Sequence, residues 1–327
     1  MFRKILAFAF AVSTCFLASQ PVSAAEYPSK NIRIIVPYSA GGGVDVPIRM
    51  MSDLAGQYIN GHKLIVENMP AGGSIAGSTA VFKAPADGYT VLGYTPTTVI
   101  ASLTRQTPFK TDSFQPVAAF CQDPTVMVVR ADSPIKDLRD FMETAKQRKL
   151  IINISAPGNI PQLGGMLLEK QFNVHFSYVV AKSGGMQITQ LLGGHVEAAL
   201  LSLGEASVNL EAGKIRCIGI MSDKKYEGFE NLTPFSSIGF FYEGEDGVRS
   251  SEWGTTRGLA VKAGTPDEVV KKLNDIFGSI INSPEFQARM KKAGFPCVYM
   301  DSAAFTQQMD NIAHTCSYLL QNQINSK

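Results

Sequence analysis

The stretch IRIIVPYSAGGGVD, residues 32–45, decides the reading of this chain. Ile32–Val36 is a short apolar run with β-branched residues, which reads as a strand buried on both faces. Pro37 ends it. Tyr38-Ser39-Ala40-Gly41-Gly42-Gly43 follows as a turn of small residues, and a helix is predicted from Val44 to Tyr58. A glycine turn between a strand and a helix leaves backbone N–H groups exposed and pointing one way. Such a turn is built to hold an anion or a carbonyl oxygen. Tyr38, Ser39, Ala40, Gly41 and Gly43 are therefore candidate ligand-binding residues. Asp45 is of the wrong charge to sit beside an anion, so its expected role is to cap the helix or shape the loop.

Upstream of this turn the chain reads as an export signal. Arg3 and Lys4 precede an apolar run from Ile5 to Leu17, and Val22-Ser23-Ala24 supplies small residues at a cleavage site, so residues 1–24 are predicted to be removed. The remainder, about 300 residues, suits two domains rather than one small core. Without Arg3 and Lys4 the basic residues equal the 28 acidic ones. No block of Lys or Arg stands out, which argues against nucleic acid as a partner. Cys121, Cys217, Cys297 and Cys316 have no tight spacing and no C-x-x-C. They read as buried free thiols, with a Cys297–Cys316 bridge as the alternative in an exported protein.

Outward from the first turn the pattern is strand, turn, helix, repeated. Strands are predicted at Leu64–Asn68, Tyr89–Tyr94, Thr125–Arg130, Leu150–Ile154, His175–Val180, Val196–Leu201, Lys214–Met221 and Arg257–Lys262. Helices are predicted at Gly72–Phe82, Ile135–Arg148, Pro161–Phe172, Glu205–Glu211, from Pro266 to Asn282, at Ser283–Ala293 and at Ala303–Leu320. Asp132-Ser133-Pro134 reads as the cap of one helix, and Thr265-Pro266 with Glu268 as a capping box for another. Residues 222–252 read as a long surface connection. Domain boundaries fall near 125 and 250.

Signatures of catalysis are scarce. No G-x-G-x-x-G follows the first strand, no Walker A run occurs, and Gly72-Gly73-Ser74-Ile75-Ala76 fails the nucleophile-elbow pattern at its last position. His62, His175, His195 and His314 make no H-E-x-x-H. The reading is therefore a binding protein rather than an enzyme, with no cofactor and no metal. Further candidates sit in turns that resemble the first. Thr97 and Thr98 offer hydroxyls after a central strand. Ser155-Ala156-Pro157-Gly158-Asn159 repeats the exposed-amide turn in the second domain, making Ser155, Ala156, Gly158 and Asn159 candidates. Lys182, in the turn Lys182-Ser183-Gly184-Gly185, can supply a countercharge to an acid. Arg257 pairs with an internal acid or faces a pocket, and Trp253 walls a pocket or covers the core.

Several blocks resemble, in order, the Bug/TctC family of extracytoplasmic solute receptors of tripartite tricarboxylate transporters. They are PSKNIRIIVPYSAGGGVD, LIVENMPAGGSIAGSTAV, KAPADGYTVL, LLGGHVEAAL, LEAGKIRCIGI and VKAGTPDEVVKKL. The resemblance implies an α/β, two-lobe periplasmic binding protein fold of type 2, a Venus flytrap with its ligand cleft between lobes. Residues 26–124 with 250–327 would form lobe 1 and residues 125–249 lobe 2. It implies a monomer in the periplasm that captures a small carboxylate-bearing molecule and delivers it to a two-component membrane permease. An exported sensory module and an exported hydrolase are the competing readings. The family's two binding loops fall on Tyr38–Asp45 and Ser155–Asn159.

The chain also departs from the family. Asn159 is followed by Ile160-Pro161-Gln162, where the family continues into serine and histidine. Many members carry an aspartate at the strand end that is Leu201-Ser202 here. Ser202 is kept as a binding candidate. The missing aspartate, which can select an amine- or hydroxyl-bearing ligand, points to a simple acid.

Overall fold

The computed structural model describes residues 27–155, 157–181, 183–243 and 249–324. The predicted signal segment lies outside the described residues, as do Ala156 and Lys182.

One long strand organises the chain. β4 runs for 17 residues from Phe114 to Arg130 and crosses residue 125 unbroken. The sequence reading found only its second half, because Pro116 and Pro124 break the pattern of a central strand. Both prolines are tolerated for local reasons. Pro116 lies opposite Ala260, beside a register shift in the partner strand, and Pro124 lies opposite Gly254, where that pairing ends.

The first half of β4 pairs antiparallel with β11 (Gly254–Lys262) and β12 (Cys297–Met300). Beyond β11 come β3 (Thr90–Tyr94), β1 (Ile32–Val36) and β2 (Leu64–Asn68), with β1 parallel to both β2 and β3. The second half of β4 pairs antiparallel with β7 (Ala198–Ser202) and β8 (Ile215–Ile220). Beyond β7 come β5 (Leu150–Ile154) and β6 (Phe176–Val180), all three parallel. Parallel strands covered on both faces need apolar residues at every position. β7, AALLS, is buried throughout, and β1 is buried at four of its five residues.

Each parallel strand feeds a helix. β1 leads to α1 (Asp45–Leu54), β2 to α2 (Ile75–Lys83) and β3 to α3 (Pro96–Thr104). After α4 (Leu138–Gln147), β5 leads to α5 (Ile160–Phe172), β6 to α6 (Gly184–Leu192) and β7 to α7 (Leu203–Glu211). The chain then passes through α8 (Asp267–Ile281) and α9 (Pro284–Lys292) and ends in α10 (Ser302–Ile324). α8 buries Val269, Val270, Leu273, Ile276, Phe277, Ile280 and Ile281, the three- and four-residue spacing of one helix face. Phe277, Phe286 and Phe120 fill one side of the first sheet half, and Phe305, Phe109 and Phe114 the other.

Several local expectations are corrected. α4 starts at Leu138, capped by Asp137, whose carboxylate accepts from the Asp140 N–H at 2.9 Å. Ser133-Pro134 belongs to the turn before it. The capping box at Thr265 does not form. The Thr265 hydroxyl donates to the Lys262 carbonyl at 2.8 Å, and α8 begins after Pro266 without a side-chain cap. Residues 222–252 are not only surface, since Phe235 and Phe240 are fully buried. Trp253 covers the core and donates from Nε1 to the Ile160 carbonyl at 2.7 Å. β12 has no counterpart in the sequence reading. Cys121, Cys217, Cys297 and Cys316 are free thiols, and Cys297 lies opposite Cys121 rather than bridged to Cys316.

Candidate functional site

The carboxyl ends of β1, β2, β3, β5, β6 and β7 all deliver their chain to one cleft of about 650 Å³. A volume of that size suits a small organic molecule. The turn after β1 forms one wall. Tyr38, Ser39, Ala40, Gly41, Gly42 and Gly43 line it. Gly41 takes φ +78°, a left-handed conformation open to glycine at little cost. Asp45 does not line the cleft. It is buried at the start of α1, where its carboxylate accepts from the Gly41 N–H at 2.8 Å, Arg49 Nε at 3.0 Å and Asn68 Nδ2 at 2.8 Å. Asn68 Nδ2 also reaches the Tyr38 carbonyl at 3.1 Å. Burial opposes the charge of Asp45, but these three donors outweigh it and hold the carboxyl below its ordinary range. The turn is thus shaped from behind by an acid that ligand does not meet.

Hydroxyls make the adjoining wall. The Tyr38 phenol and Thr95 Oγ1 are 2.6 Å apart, and Thr95 caps α3 by accepting from the Thr97 N–H at 3.3 Å. Burial pushes the Tyr38 phenol pKa up, with Thr95 and its neighbouring hydroxyls pulling partly back. Thr97 lines the cleft. Thr98 does not. It turns into the core, 3.4 Å from Ser78 Oγ, because a helix residue next to an exposed one faces about 100° away. Ser74, just before α2, lines the cleft and is completely buried, its hydroxyl close enough to act on the Tyr38 phenol but without a well-formed hydrogen bond among the described residues.

The opposite wall comes from the turns after β5, β6 and β7. Ser155 and Asn159 line it, with Ile160 and Pro161. Asn159 caps α5 by accepting from the Gln162 N–H at 2.9 Å, and its amide donates to Ser155 Oγ at 2.8 Å. Gly158 is not among the lining residues. Its N–H is taken by Gln162 Oε1 at 2.6 Å, so the Ile160-Pro161-Gln162 departure turns that amide inward. Ser183, Gly184 and Gly185 line the cleft from α6, and Ser202, Gly204 and Glu205 from α7.

The floor is an ion pair. Arg257, on β11, lines the cleft with only 6% of its side chain exposed. Its Nη1 donates to Asp123 of β4 at 2.6 Å and to Cys121 Sγ at 3.3 Å, and its Nη2 to Ser202 Oγ at 3.2 Å. The second oxygen of Asp123 accepts from the Gly204 N–H at 3.0 Å, at the start of α7. Burial works against the guanidinium charge, but Asp123, then Cys121 and Glu205, outweigh it and push the Arg257 pKa up. Burial likewise pushes the Cys121 thiol up to about 12, so it stays protonated. Gly43 lies flat on the guanidinium. A Cβ there would stand 3.1 Å from Nε and Nη2.

Among the described lining residues the ionisable side chains are Tyr38, Glu205 and Arg257. Of these the sequence reading named Tyr38, weighed Arg257 without assigning it, and missed Glu205, together with Ser74, Thr95 and Ser183. The signal that finds most of them is positional. Each follows a predicted strand by a few residues, as Tyr38 and Ser155 do.

Residues 49–323 match the family model described as the tripartite tricarboxylate transporter family receptor, TctC. A protein of Pseudomonas sp. (strain P51), named UPF0065 protein in the tcbD-tcbE intergenic region, is 28% identical over 297 residues, 89% of this chain and 85% of that protein. The crystal structure of a TctC solute-binding protein from Polaromonas, without ligand, superposes with a TM-score of 0.76 at 27% identity, over 90% of this chain and 99% of the other. MatC of Rhodopseudomonas palustris, solved with bound malate, superposes with a TM-score of 0.74 at 20% identity, over 90% and 99%. At that identity the likeness concerns the fold alone. The chain belongs to the TctC receptor family and has its mixed α/β periplasmic-binding-protein fold. It is a periplasmic solute-binding receptor, a component of transport and not an enzyme.

Two predictions follow from this geometry. Asp123→Ala leaves a buried guanidinium unpaired and should cost about 3–5 kcal/mol, while the double replacement Asp123→Leu with Arg257→Met should recover most of it. Denaturant titration checks both, and equal losses would mean that packing dominates. Asp45, with its depressed pKa, contributes stability that is present above its unfolded value of 3.8 and is lost as pH falls through the folded value. Asp45→Asn should therefore lower stability at pH 7 by about 1–3 kcal/mol. The gap from the parent protein should narrow as the pH drops below the ordinary carboxylate range. Thermal melts over a pH series read this, and a pH-independent gap would rule out the charge as its source.

Proposed function

We propose that this receptor captures a small organic molecule by its carboxylate. One observation carries the reading. Six helices, α1, α2, α3, α5, α6 and α7, begin at the rim of a single cleft. Each helix start carries unpaired N–H groups and about half a positive charge. Gathered on one cavity, they favour an anion without any buried lysine or arginine committed to it. The malate held by MatC, which shares the fold, agrees with such a ligand.

On this reading the carboxylate lies against the amides of Ser39, Ala40, Gly42 and Gly43, while the Gly41 N–H stays with Asp45 and holds the turn in shape. Tyr38, Ser74 and Thr97 supply hydroxyls from the same side, and Ser155, Asn159 and Ser202 approach from the other. Ala156 and Lys182 belong to the same turns. Residues 26–124 with 250–327 act as one lobe and residues 125–249 as the other. β4 runs through both sheet halves and the chain re-enters the first half at the start of β11, which makes these two points the natural hinge for closure over ligand. Closure removes water and strengthens every amide contact. The filled receptor, exported behind residues 1–24 and acting as a monomer, then docks on a two-component membrane permease.

The test is thermal stabilisation by a panel of mono- and dicarboxylates, with native mass spectrometry of gently purified protein to weigh retained ligand. A ligand at a hundred times its Kd should add about 2.7 kcal/mol. If no small carboxylate shifts the melt and none is retained, the reading fails. Within the site, Gly43→Val must push the Arg257 guanidinium and distort the turn. It should weaken the best ligand at least tenfold, about 1.4 kcal/mol, by calorimetry. Unchanged affinity in a folded variant would remove this turn from the site.

A further inference from the structure

We propose that Glu205 makes the cleft select an amphoteric ligand, one that carries an ammonium or comparable hydrogen-bond donor a few atoms from its carboxylate, over a plain diacid. The inference rests on the carboxylate reading above and specifies what the other end of the molecule must be.

The cleft has two poles. At one, the starts of α1, α2, α3 and α5 meet the cavity with no acidic side chain facing it, since Asp45 is turned behind its loop. The Ser74 hydroxyl adds a fully buried polar group without a well-formed hydrogen bond among the described residues. This pole suits a carboxylate. The other pole is formed by α6 and α7, and here Glu205 changes the sign. Its carboxyl lies against Gly184 at the start of α6, where a Cβ would approach its Cδ to 2.8 Å. A side chain there would have to push the carboxyl aside. Its Oε2 closes a capping box at the start of α7, taking the Ser202 hydroxyl at 3.1 Å and the Ser202 N–H at 3.5 Å, which leaves Oε1 to the cleft.

The nearest cation, Arg257, feels the Glu205 charge but makes its ion-pair contact elsewhere. Arg257 is paired to Asp123 at 2.6 Å and lends Nη2 to Ser202 Oγ. Ser202 thereby accepts from Arg257 and commits its one proton to Glu205. The carboxylate forms no ion pair among the described residues, and its Oε1 accepts no hydrogen bond from them. It is an exposed, anionic acceptor inside a cleft that otherwise attracts anions. A diacid spanning the cleft would set its second carboxylate against Glu205, like charge to like. An ammonium would meet its counterion instead.

The sequence pointed to a simple acid because Leu201-Ser202 lacks aspartate. At that strand end Leu201 is fully buried and Ser202 meets the cleft with a hydroxyl, so neither brings a charge. Glu205 supplies the carboxylate from the first turn of the following helix.

Calorimetry on the full receptor tests this with pairs of equal span. The probes are β-alanine against succinate, 4-aminobutyrate against glutarate, 5-aminopentanoate against adipate, and aspartate and glutamate against the matching diacids. In the parent protein the best amino member should bind at least tenfold tighter than its diacid partner. Glu205→Gln keeps an acceptor for Ser202, so it should fold while that ratio falls at least tenfold. Glu205→Asp should retain the preference. A parent that prefers diacids, or a ratio that moves less than twofold in Glu205→Gln, overturns the assignment of Glu205 while leaving carboxylate capture intact. If no member of any pair binds, both fall.

Discussion

A charge placed in a protein interior must find its counterion there, and this fold is arranged around one such requirement. Arg257 is nearly excluded from solvent, and Asp123 is completely so. Leaving either alone would cost several kcal/mol, so the two must meet in the folded state. They come from different strands, β11 and β4, and Asp123 also holds one of the first N–H groups of α7, that of Gly204. One ion pair thus fixes the seam between the sheet halves, the start of a cleft helix and, through Gly43 resting on the guanidinium, the first turn. Its contribution is specificity of arrangement more than net stability, because desolvating both ions offsets much of their attraction.

The second constraint is topological. Parallel strands end on the same side of a sheet, so every crossover helix in such a sheet begins at the strands' carboxyl edge. Here six begin around one cavity. The anion-binding character of the cleft needs no dedicated cation, because peptide dipoles supply the field. It follows that a side chain can tune the cleft cheaply. A single acid at one helix start reverses the polarity of that corner, as Glu205 does beside α6 and α7.

What the sequence displayed and what it hid separate along physical lines. Turns such as Tyr38–Gly43 and Ser155–Asn159 are legible because glycine, proline and asparagine mark backbone conformations that other residues avoid. Strand existence was legible in β1, β3, β5 and β7, which are mostly apolar and buried at four or all of their five residues. The first half of β4 was not, since Pro116 and Pro124 are tolerated only because of a register shift and a strand end in its partner. β12 was hidden because its residues are half-buried and carry no clear period. The side chains that complete the site, Arg257, Asp123, Ser202 and Glu205, lie far apart in the chain and are joined only by tertiary contact. Thr98 and Gly158 went the other way. Each looks like an exposed group in the sequence, but Thr98 faces inward by its place on α3, beside Ser78, and the Gly158 amide is taken by Gln162.

The loops of the cleft are held before any ligand arrives. Asp45 grips the first turn through Gly41, Arg49 and Asn68, and Gln162 with Asn159 grips the turn after β5. A loop already ordered spends little conformational entropy when it binds, so more of each new contact appears as affinity. The cost is reach, because amides committed to Asp45 and Gln162 do not serve a ligand. Recognition then falls to groups the scaffold leaves uncommitted. Beside the remaining amides of the first turn, these include the Ser74 hydroxyl on one side and the free oxygen of Glu205 on the other. Two such groups of opposite preference, set across a cavity of about 650 Å³, favour a molecule whose two ends differ.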